Sequence, residues 1–296
     1  MTLAAGLSSP AFLAVDAQFV YWLDEGTYGG MDGAVKKVPI CGGAVVTLVA
    51  SLPSPGAMAT DATDVYWANG TGAARALLKV AKTGGAVTTL TTEADATALA
   101  VGGGYAYWAS LNAMGILFRV PIAGGAPEVL VPGSSFGGGV FLDGSSVYFT
   151  NEAYTTGAVL SAPADPASGG GVVTLASMRN QPRSVIAQGS LVYWTEAADD
   201  TGYLGNVMAV PSAGGAFLTI AAGEINPQAL AVDASYVYWT NESDVSIGNV
   251  TKAPLGGGPI AVVAAYQSYP GSVAVDDSYV YWTTGEATGS IVRLPK

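Results

Sequence analysis

The sequence predicts an all-β chain folded as a seven-bladed β-propeller, with four antiparallel strands in each blade. Three observations predict it. A Val-Tyr-Trp-like triplet recurs seven times along the 296 residues, its aromatic pair at Tyr21-Trp22, Tyr66-Trp67, Tyr107-Trp108, Tyr148-Phe149, Tyr193-Trp194, Tyr238-Trp239 and Tyr281-Trp282. The spacings between successive pairs are 45, 41, 41, 45, 45 and 43 residues, and each interval holds four short strand-like segments with no sustained helical period, which is the signature of propeller blades. The two ends of the chain also complement one another. The seventh copy stops at "SIVRLPK", after its third strand, while the opening "MTLAAGLSSP" matches the spacing of "VTLVASLPSP" at Val46–Pro55, the fourth strand of the first copy.

Within a copy the elements follow in a fixed order. The first strand is the small, apolar "LAVD" segment, which reads as a strand buried on both faces. It opens near a proline in five copies (Pro10, Pro55, Pro182, Pro227, Pro270). It closes five residues before the tyrosine at Asp16, Asp61, Gly102, Asp143, Gln188, Asp233 or Asp276. A short polar turn leads to "VYWT", rich in the β-branched and aromatic residues that favour strands. All six tryptophans lie in these second strands and are expected to pack between adjacent blades. A loop of variable length follows. The third strand ("AVKKVP", "LLKVA", "ILFRVP", "SIVRLP") alternates apolar and polar residues, which predicts one wet face. A glycine run in six copies then turns the chain into the fourth strand. The N-terminal residues 1–9 are expected to supply the outer strand of the seventh blade and so remove the open sheet edge. Residues 1–296 thus read as a single propeller domain.

The order proline, "AVD", "VYWT", basic residue, glycine turn resembles the YWTD repeats of LDL-receptor-type propellers over the whole chain. The basic position recurs as Lys37, Lys79, Arg119, Lys252 and Arg293, with Ser161 and Ala209 as exceptions. Two departures stand out: YWTD propellers have six blades, and the motif's aspartate is here Asp24, Asn69, Ser110, Asn151, Glu196, Asn241 or Thr284. At blade level the chain is also similar to bacterial seven-bladed proteins of the streptogramin B lyase kind. That resemblance implies a histidine base, and this sequence contains no histidine.

Composition narrows the function classes. The net charge is −11 with 11% charged residues, so the basic footprint of a nucleic-acid binder is missing. No apolar run approaches the ~18 residues that would span a bilayer. Without histidine, a Ser-His-Asp triad and a His-ligated zinc site are both excluded. The single cysteine, Cys41, reads as a small tolerated side chain beside a glycine turn. The opening residues are expected to form a strand and not a signal segment. The low charge and the abundance of Gly, Ala, Thr and Ser suit a bacterial exported protein whose targeting segment lies outside this chain. A monomer is expected.

Function is expected on the face that carries the loops joining second to third strands and fourth to next first strands, the top. These second-to-third loops hold 10, 7, 6, 7, 10, 8 and 6 residues, and variable loops on a rigid frame are where binding groups are grafted. They carry acids and tyrosines. The candidate ligand-binding residues are Asp24, Glu25, Tyr28, Arg75, Tyr154, Arg183, Glu196 and Tyr203, and Arg75 takes a position held by glycine in the other six copies. Three classes of function follow. The first is a non-catalytic binding module whose acidic, tyrosine-containing mouth suits a protein or small-molecule partner, cationic in character. The second is a metal-dependent propeller lyase or hydrolase. Its oxygen ligands Asp24, Asn69, Asn151, Glu196 and Asn241 are of the right types for calcium, a set implied by the likeness to gluconolactonase and regucalcin-like propellers. The third is a lectin that stacks sugar on the loop tyrosines. No other cofactor is expected.

Overall fold

The computed structural model describes residues 1–27, 29–69, 75–110, 117–133, 137–153, 155–197, 204–243, 248–285 and 288–296. It contains seven four-stranded antiparallel sheets arranged as the blades of a propeller. In the first blade the strands run, from channel to rim, Pro10–Val15, Phe19–Asp24, Gly33–Pro39 and Val46–Leu52. The seventh blade is composite. Val273–Val275, Tyr279–Thr284 and Gly289–Pro295 are followed at the rim by Thr2–Leu7, which pairs with Gly289–Pro295. The Met1 ammonium donates to the Arg293 carbonyl at 2.8 Å.

The repeated letters correspond to repeated locks. The tryptophans and Phe149 are at most 1% exposed, and each apolar cluster straddles two blades. Trp67 of the second blade, for example, packs with Tyr21, Leu23 and Val35 of the first. The recurrent aspartate closes the first turn. Asp16 Oδ1 accepts the N–H groups of Gln18 and Phe19 at 2.9 Å, while Oδ2 accepts the Tyr21 hydroxyl at 3.0 Å. Asp61, Asp233 and Asp276 do the same for Tyr66, Tyr238 and Tyr281. The recurrent proline meets a glycine of the preceding blade. A Cβ on Gly33 would lie 2.5 Å from Pro55 Cδ, and Gly157, Gly205, Gly248 and Gly289 stand equally close to Pro182, Pro227, Pro270 and Pro10. At the seam where arginine replaces that glycine the proline is also missing, and Arg75 instead pairs with Asp95 at 3.4 Å.

Two strand expectations need correction. The first strands are not buried on both faces: Pro10–Val15 is half-buried along most of its length, because these strands line the central channel. The polar face of the third strand is not wet either. Its basic side chains lie over tyrosine or phenylalanine rings, as with Lys37 on Phe19 (4.1 Å), Arg119 on Tyr105 (4.2 Å) and Arg293 on Tyr279 (4.2 Å). Arg119 is buried and the others are half-buried, and three of them reach carbonyls of the next blade: Lys37 Nζ to Lys82 O at 2.6 Å, Arg119 to Ala164 O at 2.8 Å and Arg293 to Ile40 O. Long cationic side chains bury their stems while their charge finds a partner, which simple alternation does not reveal.

Candidate functional site

Strand pleat decides which residues face the mouth. Residues two apart share a face of a strand, so the position two past the second aromatic falls beside the tryptophan and not in the channel. Asp24 is 1% exposed; it accepts the Trp22 indole N–H at 2.8 Å and pairs with Lys36. Asn69 accepts from Trp67 at 3.0 Å, and Glu196 accepts from Trp194 at 2.9 Å while forming a two-point ion pair with Arg179 of the preceding blade's outer strand. Asn241, 3% exposed, donates to Glu224 and Asn249, and Glu224 itself accepts from Trp239 at 2.9 Å. Asn151 follows Phe149, which has no N–H, and its Oδ1 is left without a partner. The five oxygen-bearing residues considered for calcium therefore sit in five different blades, four of them engaged with their own blade's tryptophan or its acceptor. Among the described residues no group of three or more Asp, Glu, His or Cys is placed to hold a metal ion.

The next position along faces the top mouth. It is glutamate in three blades: Glu25, Glu152 and Glu242. Glu25 and Glu242 line one cavity of about 350 Å³ with Ser9, Tyr269 and Gly285. A contiguous cavity of about 420 Å³, sharing Pro10, Ala11, Glu242, Gly271 and Thr283, opens onto first-strand residues of six blades. A hydrogen-bonded chain crosses one side of this mouth. Arg183 lies 3.5 Å from Glu152 and donates to Asn226 Oδ1 at 2.6 Å. Asn226 Nδ2 and Gln228 Nε2 both donate to Glu242 Oε2, at 3.1 and 2.8 Å. Glu25 differs: no donor or cation among the described residues reaches its carboxylate, and burial raises its pKa above the ordinary glutamate range. Burial raises Glu152 likewise, opposed by the Arg183 charge.

Of the sequence candidates, the structure brings Glu25 and Arg183 to the mouth. It places Asp24 and Glu196 within the blades and Arg75 at the seam between the second and third blades. Tyr28, Tyr154 and Tyr203 lie outside the described residues. Sequence reasoning missed Glu242, Glu152, Asn226 and Gln228 as a connected set. The signal was available, because a glutamate recurs three past the second aromatic, on the opposite side of the pleat from the tryptophan.

No protein-family model matches the sequence, and no curated protein matches it closely enough to indicate a relative. Solved structures share the fold. A catalytically inactive virginiamycin B lyase from Staphylococcus aureus with quinupristin is 13% identical, with 99% of this chain and 98% of that chain covered and a TM-score of 0.76. A puromycin-hydrolysing peptidase of Mycobacterium tuberculosis is 13% identical at a TM-score of 0.71; 97% of this chain is covered, but only half of that one. A chain of the nidogen/laminin complex is 15% identical at a TM-score of 0.53, covering 90% of this chain and 85% of that chain. The likeness establishes the propeller and spans both enzymes and a binding protein. No helix among the described residues is long and apolar enough to cross a membrane.

Proposed function

We propose that the protein is a binding module that captures a cationic group, on a small molecule or on a basic partner surface, at the top mouth of its channel. The observation that carries this reading is the pairing of Glu25 and Glu242 on one cavity, with no cation among the described residues reaching the Glu25 carboxylate. A carboxylate held half-buried without a counter-charge costs folding free energy, and such perturbed groups gather at functional sites. Asn226 and Gln228 donate to Glu242 Oε2 and fix its carboxylate at the cavity wall. The YWTD-like repeat pattern and the nidogen-type neighbour, a component of a protein complex, support a binding role.

The test is calorimetric titration with tetralysine, on the native chain and on Glu25→Gln and Glu242→Gln variants. Saturable, salt-sensitive binding that weakens about tenfold in each variant is expected. Binding that is absent, or indifferent to both substitutions, overturns the reading. Calcium is the competing cation. A melting temperature raised by calcium and restored by a chelator would move the function to a metal site.

A further inference from the structure

The cavity below the mouth is lopsided in one respect that the blade repeat does not require. Two residues past the recurrent proline position, the wall is alanine, glycine or serine in six blades: Ala57, Ala98, Gly139, Ser184, Ala229 and Ser272. In the first blade the same position is Phe12. Its ring is half-buried, resting on the clusters of the second blade while lining the 420 Å³ cavity. Its backbone has φ of +50°, a left-handed conformation uncommon for a bulky residue. The Phe12 N–H is held by Ser272 Oγ of the seventh blade at 2.8 Å. A bulky residue in this conformation, at a position where the other blades carry alanine, glycine or serine, is the kind of outlier that points to a function.

From this we infer that the cavity is a small-molecule pocket whose specificity is set by Phe12, and that it takes an organic cation bearing a flat apolar or aromatic body. The inference rests on the mouth reading above and adds the ligand's other end. A volume of about 420 Å³ lies within the range of small-molecule pockets. The Phe12 ring offers an apolar face for stacking and a π-face for a cation. Glu242, which borders both cavities, is positioned to meet the charged end. Arg183 and Gln228 are the bulky polar residues of the same wall, and they close the side held by the fifth and sixth blades.

The experiment compares phenylethylammonium with butylammonium by calorimetry on the native chain, Phe12→Ala and Phe12→Leu. The leucine keeps the bulk and removes the π-face, so it remains informative if alanine loosens the blade. The native chain is expected to prefer the aromatic amine about fivefold, the ratio that an aromatic contact of roughly 1 kcal/mol provides. Both variants should lose most of that preference, with phenylethylammonium weakened more than butylammonium. Equal affinity for the two amines, or a preference that survives both substitutions, overturns the assignment of Phe12. Tetralysine binding that still depends on Glu25 and Glu242 would then leave the mouth reading intact. Loss of tetralysine and amine binding together would remove both.

Discussion

Replacing Asn69 by alanine tests the idea that the residue two past the tryptophan is a structural cap and not a ligand. Trp67 is fully buried, and its indole N–H has Asn69 Oδ1 at 3.0 Å as its acceptor. Removing the amide strands a donor inside the seam between the first and second blades. An unsatisfied buried donor costs about 1–3 kcal/mol, so Asn69→Ala should destabilise by about 2 kcal/mol, lowering the melting temperature by roughly 3 °C for a domain of this size. Trp67→Phe removes the donor instead. The double variant Trp67→Phe/Asn69→Ala should cost about 1–2 kcal/mol less than the sum of the singles, measured by urea unfolding in a double-mutant cycle. A loss under about 0.5 kcal/mol for Asn69→Ala, with additive singles, would refute the cap and reopen Asn69 as a ligand.

Four further outcomes follow from the same locks. Phe149→Trp should give Asn151 Oδ1, now without a partner, an indole donor and raise stability by about 1 kcal/mol in urea unfolding; a loss would show that the site cannot admit the larger ring. Gly157→Ala should destabilise by about 2–3 kcal/mol, an overpacking cost, because its Cβ would meet Pro182 Cδ at 2.4 Å and two carbonyl oxygens at 2.8 Å; thermal melting reads it. Acid titration should expose the turn aspartates. Asp16 and Asp233 are held down to about 2 because hydrogen bonds and their lysine partners Lys82 and Lys296 outweigh the desolvation that opposes them. A depressed carboxyl stabilises the fold above its unfolded value, and that stability is lost as pH falls from about 4 toward 2. Allowing for solvent screening, each contributes about 1 kcal/mol, and Asp233→Asn should flatten the acid limb. At the alkaline end the signs reverse. Tyr21, Tyr66, Tyr238 and Tyr281 are raised by burial and by their aspartates, so their contribution holds below about pH 10 and fades above it.

The fold was legible because each blade repeats its chemistry at a fixed offset. The Asp16–Tyr21 spacing, the tryptophan and the proline each proved to be one half of a lock, and the offsets stay constant because the locks are geometric. The site was legible only in part. Glu25 and Arg183 were visible as charged residues in top-face segments, but Asp24 and Glu196 carry the same charge one pleat away and are buried against tryptophan. Charge alone does not separate adjacent positions at a strand end; the alternation of the strand does. Glu242, Asn226 and Gln228 meet within one blade, at the end of its second strand and the start of its first, and their link to Arg183 and Glu152 of the two preceding blades appears only when the blades are set side by side. Phe12 was passed over because a phenylalanine in an apolar strand looks like core.

The locks also show where the ring is weakest. The seams from the fourth blade round to the second each carry a Gly–Pro contact. Threonine hydroxyls add latches across the later ones: Thr150 to the Arg183 carbonyl (2.7 Å), Thr195 to that of Gln228 (2.8 Å) and Thr240 to that of Gly271 (2.6 Å). The third blade reaches the fourth through Thr97 to the Gly137 carbonyl and Arg119 to that of Ala164, both at 2.8 Å. Among the described residues the seam between the second and third blades has none of these. It relies on the apolar cluster around Trp108, one backbone bond from Gly125 to Leu90, and the Arg75–Asp95 pair, whose arginine is 41% exposed. An ion pair that open to solvent contributes little. Trp108 adds a liability, because Ser110 stands where other blades place its acceptor and its N–H has no partner. This seam should therefore open first, and amide hydrogen exchange should show Ala96–Gly102 less protected than the equivalent first strand Pro227–Val232. Installing the missing lock with Arg75→Gly and Ala96→Pro together should slow that exchange and raise the melting temperature. If the double variant leaves both unchanged, the Gly–Pro contacts accompany the ring without holding it.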